Sequence, residues 1–116
     1  MMRVETDGLG AIELPVGAIY GSQTQRALEN FPVTGVPISH YTEVVQCLAI
    51  VKKACALTNS GLGVLPKDKA QLIAEVCDEI ISGQHREHFV VDVIQGGAGT
   101  STNMNTNEVI ANLCLL

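Results

Sequence analysis

Tryptophan is absent, and Tyr and Phe together make up only 3% of the residues. Yet 47% of the chain is hydrophobic and mean hydropathy is +0.26, which is high for a lone small soluble domain. Apolar surface is therefore expected to wait for a partner. The seven Lys and Arg are scattered, net charge is −5, and no basic patch forms. A nucleic-acid backbone, which demands clustered cations, is excluded as a partner. No apolar run approaches the roughly 18 residues of a membrane span. The opening "MMRVETDGLG" has no apolar h-region, so no signal peptide is read there. The four cysteines contain no CxxC, which argues against a disulfide framework or a zinc site. Three of the four lie on apolar helical stripes, and they are read as reduced core thiols of a cytoplasmic protein, with Cys47, Cys55 and Cys77 expected to be inaccessible.

The 116 residues suit one small domain, spanning 1–116, which buries about two-thirds of its unfolded surface. Residues 3–21 are broken by Gly8, Gly10, Pro15, Gly17 and Gly21 and fit a short extended arm or hairpin. "SQTQRALENF" follows as a short helix, with Ser22 or Thr24 as its cap. Ser39 can cap a long helix from about His40 to Asn59, where Val44, Leu48, Val51 and Cys55 recur as one face. Gly61 is a natural residue to end it. Pro66 and Asp68 suit the start of the next helix, whose stripe is Ile73, Val76, Cys77 and Ile80 and which Gly83 closes. The two stripes should pack together as an antiparallel pair. "HFVVDVIQ" reads as a strand or extended segment. A further helix should start near Thr102. Its apolar run Val109, Ile110, Leu113, Cys114, Leu116 meets the end of the sequence without a stop signal, which suggests a domain cut inside a helix. The fold class is thus mainly α: a short extended arm or hairpin plus antiparallel helices.

One stretch looks like a site. "QGGAGTSTNMNTNE", Gln95 to Glu108, joins three glycines to a run of small hydroxyl and amide residues. A Gly-rich turn leading into a helix aims backbone N–H groups at one spot, where the helix dipole favours an anion. Thr100 and Ser101 add hydroxyl donors. No Lys precedes them as a nucleoside triphosphate loop requires, and the GxGxxG spacing of a dinucleotide site fails. No cofactor is implied. A carboxylate is the remaining common anion, and the same donors could steady an enediolate formed by loss of the neighbouring proton. The plainer alternative stays open: a turn, a cap at Thr100 or Ser101, and Asn103, Asn105 and Asn107 satisfying backbone groups.

The run Gln95–Asn112, "QGGAGTSTNMNTNEVIAN", resembles the first motif of the aspartase/fumarase superfamily. "RVETDGLGAIELPVGAIYGSQTQRALENF" resembles the opening of the same proteins, and the likeness covers essentially the whole chain. Class II fumarases read Gln-Thr-Gly-Ser-Gly-Thr-Gln-Ser-Asn-Met-Asn, whereas Gly96, Ala98 and Ser101 stand here. Every fixed position of the aspartate ammonia-lyase form, Gln-Gly-Gly-Ala-Gly-Thr-Ser-x-Asn-Met-Asn, is matched. The resemblance implies anti elimination of ammonia from aspartate to give fumarate. It also implies Thr100, with Ser101, as binders of a substrate carboxylate, and a homotetramer at full length. The elimination step itself needs no metal. The family's catalytic Ser, a second Ser/Thr-rich stretch, a His and a Lys lie downstream of the matched motifs. None of those motifs occurs here, so no catalytic residue is assigned in this chain and it should be inactive alone. The alternatives are the same region of a class II fumarase, or a non-catalytic helical module that binds a carboxylate.

Other polar residues read as structural. His85 and His88 are spaced i, i+3 after Gly83 and fit a solvated turn better than a metal site. His40 fits a surface position. Asp78 and Glu79 are adjacent and would face apart on a helix. Arg26 is either a salt-bridge partner or a residue at the mouth of the site.

Overall fold

A computed structural model describes all residues, Met1–Leu116. The chain opens with an antiparallel hairpin of β1 (Met2–Asp7) and β2 (Gly10–Pro15), closed by Gly8 and Leu9. The Asp7 side chain accepts a hydrogen bond from the Leu9 amide at 2.8 Å, and Gly10 takes φ +112°, a value that favours glycine. β2 buries Ile12 and Leu14 on one face. The Arg3 guanidinium donates to the carbonyls of Pro15, Val16, Ala18 and Tyr20, which folds the segment after β2 back on the hairpin.

Four helices follow: α1 (Ser22–Asn30), α2 (Thr42–Gly61), α3 (Lys67–Ile81) and α4 (Thr100–Cys114). A 3₁₀ turn at Ile38–His40 precedes α2 and a second at Arg86–His88 follows α3. α2 therefore starts two residues later than expected, and no side chain caps it; Ser39 lies in the 3₁₀ turn. Pro66 caps α3 rather than opening it. The left-handed residue after α2 is Gly63 (φ +75°), not Gly61, which is still helical. "VVDVIQ" is extended but forms only one isolated bridge, Asp92 with Pro37.

The core joins α2, α3, α4 and the extended segment through Val45, Ala49, Val76, Cys77, Ile80, Phe89, Val91 and Val109. Phe89, one of the few aromatics, is fully buried at its centre. On α3 the expected stripe is correct: Val76, Cys77 and Ile80 are buried and Ile73 half-buried. On α2 it is wrong by one residue. Val45, Ala49 and Ala56 face inward, while Val44 and Val51 are 44% and 57% exposed. Cys47 and Cys55 are exposed as well, so only Cys77 of the three is a core thiol. Burial pushes that thiol up to about 11. The reason lies in side-chain size. α2 packs on α3, and its buried positions are Val45 and the small Ala49 and Ala56, while α3 buries Ala70 and Ala74; several of the larger side chains of α2 stay outside.

Candidate functional site

The helix after the glycine loop begins at Thr100, with Gly99 as its N-cap residue in the left-handed region at φ +73°. Neither Thr100 nor Ser101 caps it, because both lie inside the first turn. The cap comes from Gln95: its Oε1 accepts from the Thr102 amide at 2.9 Å, while its Nε2 donates to the Asp92 carbonyl at 2.8 Å. The amides of Thr100 and Ser101, and both hydroxyls, find no hydrogen-bond partner in the chain. Four donors thus sit together at a helix N-terminus, where the backbone dipole favours negative charge.

These groups border a small cleft of about 150 Å³ between α4, α1 and the hairpin turn. Thr100, Ser101 and Met104 line one wall; Gln23, Arg26, Asn30 and Phe31 line the other, and Leu9 closes the rim. Arg26 is a salt-bridge partner that also borders the cleft. Its guanidinium donates to Asp7 at 2.9 and 3.3 Å and to the Gly10 carbonyl at 3.1 Å. Hydrogen bonding from Arg26 pulls the Asp7 carboxyl down to about 2, so it stays ionised and the guanidinium stays fixed. A larger groove of about 590 Å³ lies among α2, α3 and α4. It is mostly apolar, and no residue of the glycine loop reaches it.

The asparagines behave differently from the hydroxyls. Asn105 is fully buried; its Oδ1 accepts from the amides of Val90 and Val91, and its Nδ2 donates to the His88 carbonyl. Asn103 accepts from Lys52. Asn112 donates to the Ile19 carbonyl. The histidines stand apart from the cleft. His85 sits at φ +67° in the turn after α3, 3.3 Å from Glu79, and His88 lies 3.4 Å from Glu87. No group of three or more His, Cys, Asp or Glu is placed to share a metal. No helix is long and apolar enough to cross a membrane.

A family model described simply as lyase matches residues 10–115. An aspartate ammonia-lyase of Pseudomonas aeruginosa is 58% identical over 113 residues, 97% of this chain and 24% of that protein. The chain belongs to the aspartase/fumarase superfamily of lyases. Its superfamily relatives include both expected branches. A class II fumarate hydratase of P. aeruginosa is 51% identical over 96% of this chain and 24% of its own length. The crystal structure titled fumarate lyase:delta crystallin from Brucella melitensis, bound to cobalt, superposes with a TM-score of 0.96 at 52% identity, over 99% of this chain and 25% of that one. The chain thus spans about a quarter of the length of the relatives it matches. Its fold is that of the superfamily, mainly helical with a small antiparallel hairpin, as the sequence suggests.

Three residues that brace the surroundings of this cleft are not evident from the sequence. Gln95 is a cap at an unusual spacing, seven residues before the amide it receives. Asp92 is buried and accepts from the amides of Thr34, Gly35 and Ile94 and from the Thr34 hydroxyl, all at 2.8 or 2.9 Å. These bonds hold its carboxyl down at about 2, the Ile94 amide contributing most. Glu108, taken for the end of the polar run, reaches from α4 to the start of α1. An acidic residue inside an apolar extended segment is the one signal that could have found Asp92.

Proposed function

We propose that this chain is the N-terminal part of an aspartate ammonia-lyase, which eliminates ammonia from L-aspartate to give fumarate. The reading assigns Thr100 and Ser101 to one substrate carboxylate, received by their hydroxyls and amides at the start of α4. It takes 1–116 as a single domain whose last helix continues further, and the complete enzyme as a cytoplasmic homotetramer. The groups that move protons lie outside this chain, so the chain alone should not turn over substrate. Donors of this kind act by meeting charge that grows as the α-proton leaves.

The observation that carries the choice of aspartate is the position of Ser101. Of the four places where the chain departs from that fumarase pattern, Gly96, Ala98, Ser101 and Thr102, only Ser101 lines the cleft itself. A Gln there would fill a space that Ser101 leaves. The second reading, a class II fumarase, has the 51% identical relative in its favour. Joining the chain to the length of its relatives and assaying fumarate formation from aspartate and from malate decides between them. Turnover of aspartate alone is expected. Turnover of malate alone makes the parent a fumarase, and turnover of neither removes the lyase reading.

A further inference from the structure

The N-terminus of α1 has no cap of its own. Its N-cap residue is Gly21, which has no side chain to offer. The carboxylate of Glu108, 84 residues beyond Thr24 in sequence, takes that place. Its Oε2 accepts from the Gln23 amide at 3.0 Å, and its Oε1 accepts from the Thr24 amide at 2.8 Å and the Thr24 hydroxyl at 2.6 Å. Thr24 is fully buried. Glycine at position 21 leaves room for this contact: a Cβ there would stand 2.5 Å from Glu108 Oε2. Its φ of −121° would otherwise suit any residue.

Glu108 shares a face of α4 with Ser101, Met104 and Asn112, at helical spacings of three and four. Asn112 holds the Ile19 carbonyl just before α1. Ser101 and Met104 line the cleft, whose other wall is α1. We infer that Glu108 is a positioning residue: by capping α1 from α4 it sets the separation of the two cleft walls, and so the distance of Arg26 from Thr100 and Ser101. The inference rests on the dicarboxylate reading only for its effect on turnover; its geometry stands without it. An ordinary N-cap would stabilise α1 equally well without tying it to α4. A cap supplied from the opposite wall of a cleft does both.

That difference gives the test. In the 116-residue chain, Glu108→Ala should speed amide exchange in the first turn of α1 by about tenfold. It should also weaken the through-space NMR contacts between α1 and the Ser101–Met104 turn. With the Glu108 carboxylate gone, a Cβ at position 21 meets only the end of the flexible Glu5 side chain, at 3.3 Å, so Gly21→Ser can be added to give α1 a local cap. The double variant should regain slow exchange in α1 but not the contacts across the cleft. Recovery of both by Gly21→Ser would reduce Glu108 to a plain helix cap and overturn the inference. So would cleft contacts in Glu108→Ala that match the parent. In the chain carried to the length of its relatives, the double variant should keep reduced kcat/KM despite its restored helix. A parent without lyase turnover would remove the dicarboxylate reading and leave the NMR result standing.

Discussion

At the start of α1, the Glu108 carboxylate accepts from two backbone amides and a hydroxyl; at the start of α4, the Thr100 and Ser101 amides and hydroxyls meet no acceptor from the chain. The two ends have the same electrostatics, since both present the positive end of a helix dipole. They differ in what the chain aims at them. Near residue 34 the chain repeats the first solution, with the amides of Thr34, Gly35 and Ile94 converging on Asp92. Where convergent donors serve the fold, an internal carboxylate meets them. The donors left to solvent border the cleft, and they are the ones proposed here to receive a substrate carboxylate.

The largest effect is expected at Thr100. In the chain extended to the length of its relatives, Thr100→Val should keep the fold and lower turnover by about a hundred- to a thousand-fold, the usual cost of one donor aimed at developing charge. Steady-state kinetics checks it; activity within about threefold of the parent, at unchanged stability, would take Thr100 out of the site. At the other helix end the effect should fall on stability. Glu108→Ala should cost about 1–2 kcal/mol, the scale of a lost N-cap, in a chemical denaturation curve of the 116-residue chain. A smaller effect belongs to Asp92. Asp92 and Asp7 titrate at about 2 in the folded chain, below the ordinary 3.8. Their contribution is complete above about pH 4 and is lost as pH falls towards 2. Asp92→Asn should flatten this acid limb, losing less stability than the parent between pH 4 and 2 when unfolding is followed by circular dichroism. The smallest change should come from Thr102→Val. The Thr102 amide is already held by Gln95, and its side chain does not line the cleft, so turnover should stay within about threefold.

How much of this could be read from the sequence depends on the range of each interaction. The hairpin, four helices and the glycine loop before α4 follow from local signals: turn glycines, periodic apolar residues and a run of small donors. The stripe on α3 is legible because its outward positions are polar, as at Gln71, Asp78 and Glu75. On α2 the same method fails, since Val44, Val45, Leu48, Ala49, Ile50 and Val51 form an apolar surface on several faces. Spacing alone then cannot say which face is inside, and counting large side chains selects the wrong one. Thr100 and Ser101 were legible as a pair of donors. Ser22 or Thr24 was expected to cap α1, but the cap is Glu108, because no local rule reaches a carboxylate 84 residues away. The fully buried Thr24 instead donates its hydroxyl to that carboxylate.

That long reach also fixes an order of assembly. A helix of nine residues is marginal on its own, and one without a local cap is weaker still. α2 and α3 lie next to each other in sequence and can close early, whereas the start of α1 must wait for Glu108. During synthesis the first helix in the sequence is therefore among the last to become stable, after α4 has left the ribosome and docked. The hairpin held to α1 through Arg26 and Asp7 waits with it.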